Sequence, residues 1–250
     1  MQQRRQRIVQ MIVREGQITF AALKAQFPEV SEMTLRTDLK CLDEAGEIIR
    51  IHGGARSIET VSGTDGALSQ RRARNVAQKQ EIAAKAVELL RSRSSVFIDS
   101  GSTATELCRL IPDEARIIYT SGVTCAVELC GLSKPTVYLP GGQLNRYSAC
   151  ITGGQAANDL RSCHFDICFM GVTSFSPEYG FCCENKDDAL LKSVAIQRSD
   201  NVVMLMDSSK FGMANTHCFA SVQDVNVLVT DGALTSEQRG FFLEHGVTVI

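Results

Sequence analysis

Met33, Arg36, Thr37 and Lys40 recur at the spacing of one helix face, about 100° per residue, and carry the chemistry that a DNA major groove accepts. Arg36 offers a planar fork to guanine or phosphate, Lys40 a point charge and Thr37 a hydroxyl, while Met33 and the Thr34 methyl suit the methyl of thymine. Ser31 is a good N-cap for this helix, and Leu35, Leu39 and Leu42 line its opposite face. The predicted helix runs from about Glu32 to Ala45, with Gly46 as its stop. An ordinary amphipathic surface helix would show the same stripe, so its neighbours decide the reading. Val9, Ile12 and Val13 form the stripe of a first helix, Gly16-Gln17-Ile18 turns the chain, and Thr19 can cap a short second helix through Phe20 and Leu23. Three short helices in this order predict a helix-turn-helix.

The run Ile48-Ile49-Arg50-Ile51 followed by His52-Gly53-Gly54 predicts a wing. The glycine pair permits positive φ and a close backbone approach to phosphate, with Arg50, His52 and Arg56 beside it. The expected DNA-contacting set is therefore Ser31, Met33, Thr34, Arg36, Thr37, Lys40, Arg50, His52, Gly53 and Gly54.

A second chemistry lies further along. Asp99-Ser100-Gly101-Ser102-Thr103 leaves a predicted strand and opens a helix, where backbone N–H groups, two hydroxyls and the helix dipole favour an anion. Thr120-Ser121-Gly122 repeats that pattern, and Gly141-Gly142 allows another close approach. Asp207-Ser208-Ser209-Lys210 brings a carboxylate and a cation to the same sheet edge. Lys210 suits a phosphate or sugar hydroxyl, whereas Asp99 and Asp207 suit sugar hydroxyls. The expected effector set is Asp99, Ser100, Gly101, Ser102, Thr103, Ser121, Gly122, Gly141, Gly142, Asp207 and Lys210, with Asp166, Glu184 and Lys192 placed near the pocket.

The recognition helix paired with Arg50-Ile51-His52-Gly53-Gly54-Ala55 closely resembles the deoxyribose-operon-repressor (DeoR) type of transcription regulator. The resemblance extends over nearly the whole chain, through Asp99-Ser100-Gly101-Ser102-Thr103, Gly141-Gly142, Gly153 and Asp207-Ser208-Ser209-Lys210-Phe211-Gly212. It departs where Thr37 replaces a second arginine and where Phe27-Pro28-Glu29-Val30 makes the turn one residue longer. The resemblance implies a C-terminal domain that looks like sugar-phosphate isomerases and senses phosphorylated sugars or related metabolites.

The elements needed to hold these groups fit 250 residues as a small DNA-binding module and one medium domain. The expected boundaries are 1–57 for a winged helix-turn-helix, 58–75 for a linker and the start of a connecting helix, and 76–250 for the sensor. That helix is predicted to begin after Ser69 and continue through Arg91. Apolar strands at 96–99, 117–120, 137–139, 167–171, 202–206, 227–230 and 247–250 alternate with helices at 104–111, 123–130, 187–198 and 236–245. This predicts a largely parallel, doubly wound, Rossmann-like α/β sheet, whose ligands lie outside the carboxyl ends of the strands.

Residues 1–56 hold nine Lys or Arg against seven Asp or Glu, a charge of +2 that leaves −4 on the rest, and Arg4, Arg5 and Arg7 strengthen the expectation of DNA contact. No apolar run is long enough to span a bilayer and no signal-peptide pattern is present, so a cytoplasmic protein without membrane partners is expected. Ten cysteines without a secretory signal are expected to be reduced core residues. Their spacing is not that of a zinc site, and neither a metal nor a cofactor is expected.

The expected function is a ligand-responsive regulator, a repressor of a carbohydrate-catabolism operon, bound to double-stranded operator DNA as a homodimer or larger homo-oligomer. A phosphorylated sugar or related metabolite would release it. The competing reading is a sugar-phosphate isomerase with an appended helical domain, for which Asp166 or Glu184 would be the base. No spacing supports that pair, so no catalytic residue is expected.

Overall fold

The structure is a computed structural model that describes residues 2–15, 17–45, 47–51, 53–56 and 68–250. The chain divides into two compact units, Met1–Gly66 and Ala67–Ile250. Gly16, Gly46, His52 and the linker residues 57–67 lie outside the described residues.

In the first unit, α1 (Gln2–Glu15), β1 (Gln17–Thr19), α2 (Phe20–Gln26) and α3 (Glu32–Glu44) precede a hairpin of β2 (Ile49–Ile51) and β3 (Gly54–Arg56). The caps are those the sequence requires: Ala22 N donates to Thr19 Oγ1 at 3.2 Å and Thr34 N to Ser31 Oγ at 3.1 Å. Ile8 and Ile12 of α1, Leu23 of α2, Leu35, Leu39 and Leu42 of α3, and Ile48 close one core. Gln17 and Ile18 do more than turn the chain, because Gln17–Thr19 pairs antiparallel with β3 to give a sheet ordered β1, β3, β2. A three-residue strand shows too little alternation to be read in advance.

The second unit opens with α4 (Leu68–Ala73) and α5 (Val76–Val87). The single helix expected through Arg91 is thus two, broken where Asn75 takes a left-handed φ of 49°. Asparagine is one of the few side chains that tolerates this conformation. There follow β4 (Ser95–Ile98), α6 (Ser102–Leu110), β5 (Ile117–Thr120), α7 (Val123–Leu129), β6 (Thr136–Tyr138), β7 (Gln143–Asn145), β8 (Cys150–Thr152), α8 (Gly154–Arg161), β9 (Ile167–Gly171), β10 (Ser174–Ser176), β11 (Gly180–Cys183), α9 (Lys186–Gln197), β12 (Val202–Leu205), β13 (His217–Ala220), β14 (Val227–Val229), α10 (Ser236–Glu244) and β15 (Thr248–Val249).

Seven strands form the central sheet in the order β15, β14, β12, β9, β4, β5, β6, with every pair parallel. Alternate residues serve opposite faces. Val96 and Ile98 of β4, with Ile167 and Phe169 of β9, pack with α5, α6 and α7, whereas Phe97, Cys168 and Met170 pack with α8, α9 and α10. Both faces are therefore apolar, as a buried parallel sheet requires. The chain winds outward from β4 through β5 and β6, then returns to β9 on the other flank, so the topological switch lies between β4 and β9.

Helix α8, the β7–β8 hairpin and an antiparallel sheet of β10, β11 and β13 add to the expected elements. Their strands are three or four residues long, and α8 buries chiefly Ala156, Ala157 and Leu160. The expectation of reduced cysteines fails for one pair: Cys182 and Cys218, opposite each other in the β11–β13 register, form a disulfide, and the other eight are free. No described helix is long and apolar enough to cross a membrane.

Candidate functional site

On α3 the apolar face is inside and the predicted reading face outside. Met33 is 75 % exposed, and Thr37, Arg36 and Lys40 are exposed with it. Thr37 Oγ1 donates to Met33 O at 2.9 Å, leaving the methyl outward, and Thr34 shares a 2.8 Å hydrogen bond with Ser31. The Arg36 guanidinium lies 4.3 Å above the Phe20 ring and 3.8 Å from Glu32, so it is oriented while staying accessible. Phe20 N in turn donates to Gly53 O at 2.7 Å in the wing turn. Gly53 has a φ of +79°, the positive value expected of it.

Gly54 has a different reason for being glycine: a Cβ there would stand 2.1 Å from Ile18 O, so the approach of β1 excludes any side chain. Arg50 is exposed, its N–H donating to Asp43 Oδ1 at 3.0 Å, while His52 lies outside the described residues. The amino-terminal arginines are not uniformly available for DNA. Arg4 Nε and Arg5 Nε donate to the two oxygens of buried Asp38 at 2.7 and 2.8 Å, tying α1 to α3. Burial pushes the Asp38 carboxyl up, but the hydrogen bonds and charges of the two arginines outweigh it and hold the pKa below the ordinary value.

In the second unit the predicted loops meet at the carboxyl edge of the sheet. Asp99 follows β4 at the switch point, fully buried, and its Oδ2 accepts from Gly171 N at 2.9 Å and from the Lys192 ammonium of α9. Lys192 is itself buried, donates to Gly171 O at 3.1 Å and lies 5.1 Å from the Phe219 ring centre. Desolvation works against its charge, yet Asp99 and Asp188 overcome that and raise its pKa, so it is an ammonium throughout the physiological range. Lys192 is thus part of the site, not a solvated helix face.

Gly101, at a φ of +109°, caps α6, with Ser100 and Ser102 buried on either side and Thr103 half-buried. The next loop is packed directly on this one, since a Cβ at Gly122 would stand 3.0 Å from Ser100 Cα. Ile151 N donates to Ser121 O at 2.8 Å, which brings in β8 and a third strand-to-helix turn, Thr152-Gly153, with Gly153 at a φ of +103°. Gly141 and Gly142 sit on an exposed turn: Gly141 N is held by Asp159 Oδ2 at 2.7 Å, and a Cβ on Gly142 would meet Thr152 O at 2.7 Å. Asp207 is buried and accepts from Asn75 Nδ2 at 3.1 Å and from the Ser209 N–H and hydroxyl, with half-buried Lys210 in the same 3₁₀ turn.

Five buried polar atoms at this edge have no partner: Asp99 Oδ1, Asp188 Oδ1, Ser121 Oγ, Thr152 Oγ1 and Arg71 Nε. Each such atom is costly when left so, on the order of 1–3 kcal/mol, and a cluster of them fits a polar guest. Arg71 and Thr152 are functional candidates that sequence reasoning missed. The Arg71 guanidinium lies over the α6 amino terminus, its Nη1 being 3.8 Å from where a Gly101 Cβ would stand. Its α4 backbone is gripped by buried Lys79, whose Nζ donates to Arg71 O and, at 2.5 Å, to Arg74 O. The only advance signal for Arg71 was its place in a cationic run beside the linker.

One expectation changes. Asp166 is not near this pocket: it accepts from Ser95 N at 2.6 Å and Ser95 Oγ at 2.8 Å at the amino edge, the far end of β4 from Asp99. Those bonds hold its pKa below the ordinary carboxylate value, the opposite of what a base awaiting a proton near neutrality needs. Glu184 is half-buried between β11 and the Asn185 cap of α9. Burial pushes the Cys150 and Cys183 thiols up to about 11 and about 12, so both remain protonated beside the lysine. Among the described residues one trio, His164, Asp166 and Asp200, has metal-ligand spacing; all three are exposed at the amino edge.

An exposed helix with a wing, and an α/β unit with unpartnered buried polar atoms clustered at its switch point, are the features of a ligand-sensing DNA-binding regulator. Residues 4–61 match the DeoR-like helix-turn-helix domain and residues 74–232 the DeoR C-terminal sensor domain, and the chain belongs to the DeoR family of transcriptional regulators. It is 33 % identical over 221 residues to the HTH-type transcriptional regulator GlpR of Haloferax volcanii, covering 88 % of this chain and 86 % of that protein. With the HTH-type transcriptional regulator GolR of Listeria innocua it shares 29 % over 248 residues, 99 % of this chain and 97 % of the relative. With the transcriptional repressor AccR of Agrobacterium fabrum it shares 28 % over 232 residues, 92 % and 89 % of the two chains. Ribose 5-phosphate isomerase A of Methanocaldococcus jannaschii overlays on 55 % of each chain at 15 % identity and a TM-score of 0.41. Family membership makes this chain a regulator and sets aside the isomerase reading.

Proposed function

We propose that the protein is a cytoplasmic repressor of carbohydrate-catabolism genes, a homodimer or larger homo-oligomer on its operator, released by a phosphorylated sugar or related metabolite. Residues 1–57 bind DNA, 58–75 connect and bring Arg71 and Asn75 to the pocket, and 76–250 sense the effector. Arg36 reads a base, with Met33, Thr34 and Thr37 shaping the contact, while Ser31, Lys40, Arg50, His52, Gly53 and Gly54 position the backbone. In the sensor the phosphate lies at the α6 amino terminus, held by the backbone of Ser100 and Gly101, the hydroxyls of Ser102 and Thr103, and the cations Arg71 and Lys210. Asp99 and Asp207 accept from sugar hydroxyls, Ser121 and Gly122 form the wall beside them, and Gly141-Gly142 holds the turn behind Thr152.

The observation that carries this reading is the cluster of unpartnered buried atoms at the switch point, oxygens for hydroxyl donors and a guanidinium for an anion, in a family whose C-terminal domain is a sensor. Release follows by linkage, because a metabolite that prefers the conformation with the weaker grip on DNA lowers operator affinity by that preference. The test is operator binding by full-length protein, titrated with a panel of pentose, hexose and triose phosphates beside their unphosphorylated counterparts. One phosphorylated member is expected to release the operator at a concentration at least tenfold below its unphosphorylated form. Equal potency of the two forms would remove phosphate from the recognition.

A further inference from the structure

The amino edge of the parallel sheet carries a second cluster that regulation through the switch point does not use. A shallow, solvent-open depression of about 510 Å³ lies there, lined by Arg93, Ser95, Arg116, Lys134, Thr136 and Asp166 among others. Ser95 begins β4 and Asp99 follows its end, so the depression and the effector pocket lie at opposite ends of a strand about 13 Å long.

Arg116 is the informative residue. Its side chain is 1 % exposed; Nη2 donates to Glu114 Oε2 at 2.9 Å, while Nε and Nη1 are buried with no acceptor. A buried guanidinium keeps its charge, and unsatisfied donors in low dielectric favour an arriving acceptor strongly. Two more cations share the lining. Arg93 is held at a φ of +61°, and Lys134 lies beside Asp113, whose Oδ1 accepts from Lys134 N at 2.8 Å and whose carboxylate attracts the lysine charge. The only carboxylate in the lining, Asp166, is occupied by the Ser95 N–H and hydroxyl. The lining residues carry three cationic charges against the one carboxylate of Asp166, while Glu114 pairs with Arg116 and Asp113 lies beside Lys134 from outside the lining.

We infer that this depression is an anion site separate from the effector pocket, taking a small dianionic oxyanion, with Arg116 Nε and Nη1 as hydrogen-bond donors and Arg93 and Lys134 as flanking charges. Its occupant is a phosphate or a dicarboxylate, since either brings two negative charges and several acceptor oxygens in a compact group. Occupancy would hold the starts of β4, β5 and β6 together, because Arg93 and Ser95 flank or begin the first, Arg116 precedes the second and Thr136 begins the third.

The test is an amide NMR titration of the full-length protein with inorganic phosphate and, separately, succinate, at constant ionic strength. The Ser95, Ile117 and Thr136 amides report this depression, and the Gly101 and Ser102 amides report the effector pocket independently. At least one of the two anions is expected to shift the first group saturably, and the tighter of the two identifies the source of the charge. Arg116→Met is expected to weaken that local binding at least tenfold and Lys134→Gln about threefold. Should Arg116→Met fail to fold, Lys134→Gln still decides, because an unchanged affinity at Ser95 and Ile117 in that variant overturns the inference. So does the absence of any saturable shift at the amino edge with both anions.

Discussion

Each unit buries one aspartate against cationic side chains, and the two are completed differently. Asp38 has an arginine on each oxygen, whereas Asp99 has Lys192 and the Gly171 N–H on one oxygen and nothing on the other. A buried carboxylate with both oxygens satisfied is a staple between helices. One with an oxygen left over has room for a further donor. The contrast extends to the surroundings: the DNA-binding unit settles its buried charge internally and offers its chemistry on an exposed helix, as suits a large, hydrated polyanion. The sensor does the reverse, keeping incomplete hydrogen-bonding groups out of water where a small effector can complete them.

The largest effect is expected from removing the cation of the sensor pair. Lys192→Met leaves Asp99 buried and uncompensated, and chemical denaturation of the full-length protein should show the sensor transition destabilised by about 3–5 kcal/mol. Restoring much of that loss with a second change, Asp99→Asn, would confirm that the penalty is the stranded charge; no recovery would mean that Lys192 acts through packing.

Asp38→Asn should cost the other unit about 2 kcal/mol near neutral pH through its weakened charge-assisted hydrogen bonds. The folded pKa lies below the ordinary value of 3.8, so this contribution is complete above the unfolded value and fades as pH falls through the folded one. The wild type and Asp38→Asn should therefore begin to converge in stability below about pH 4 and meet only once the pH is under the folded value. A gap that persists in acid would refute the staple.

Effector recognition comes next. Thr103→Val and Lys210→Ala each remove a contact worth about 1–3 kcal/mol, so the metabolite concentration needed for operator release should rise about tenfold or more, with operator affinity near normal in its absence. The quantity to compare is the release midpoint against wild type; an unshifted midpoint in both folded variants would place the effector elsewhere.

The finest distinction lies within the reading helix. Arg36→Ala should cost about 1–3 kcal/mol at one base position only, whereas Lys40→Ala or Arg50→Ala should weaken all sequences alike and reduce the salt slope by about 1. Gel shifts over a salt series on the operator and a point-substituted operator separate the two. Equal losses on both sequences in Arg36→Ala would make it a phosphate contact.

Where the signal was local, the fold could be read from the sequence. Ser31, Thr19 and the leucines of α3 lie within a few residues of the element they define, and each central strand is a compact β-branched or apolar run. Parts of the site were equally local, because Gly101 and Ser102 form one turn at one helix start. What could not be read depends on long-range partners. Asp38 looks like any polar residue of an exposed helix until Arg4 and Arg5 arrive from 34 and 33 residues away. Lys192 meets Asp99 across 93 residues, and Arg71 reaches Gly101 from a helix that the sequence joined to α5. Asp166 misled for the same reason: a carboxylate beside a strand looks alike at either end, and only topology says which end binds.

The contact between Gly53 and Phe20 makes the wing and the recognition helix parts of a single gauge. Gly53 O holds Phe20 N, the Phe20 ring carries the Arg36 guanidinium, and β1, which no side chain at position 54 would permit, locks the hairpin to the same point. If Arg36 reads a base and the wing meets a phosphate, as proposed, the separation between the two contacts is built in before DNA is encountered. One inserted base pair moves the backbone by about 3.4 Å along the duplex axis, more than a hydrogen bond can stretch. The operator should then tolerate base changes under the wing but no change in spacing between the two proposed contacts.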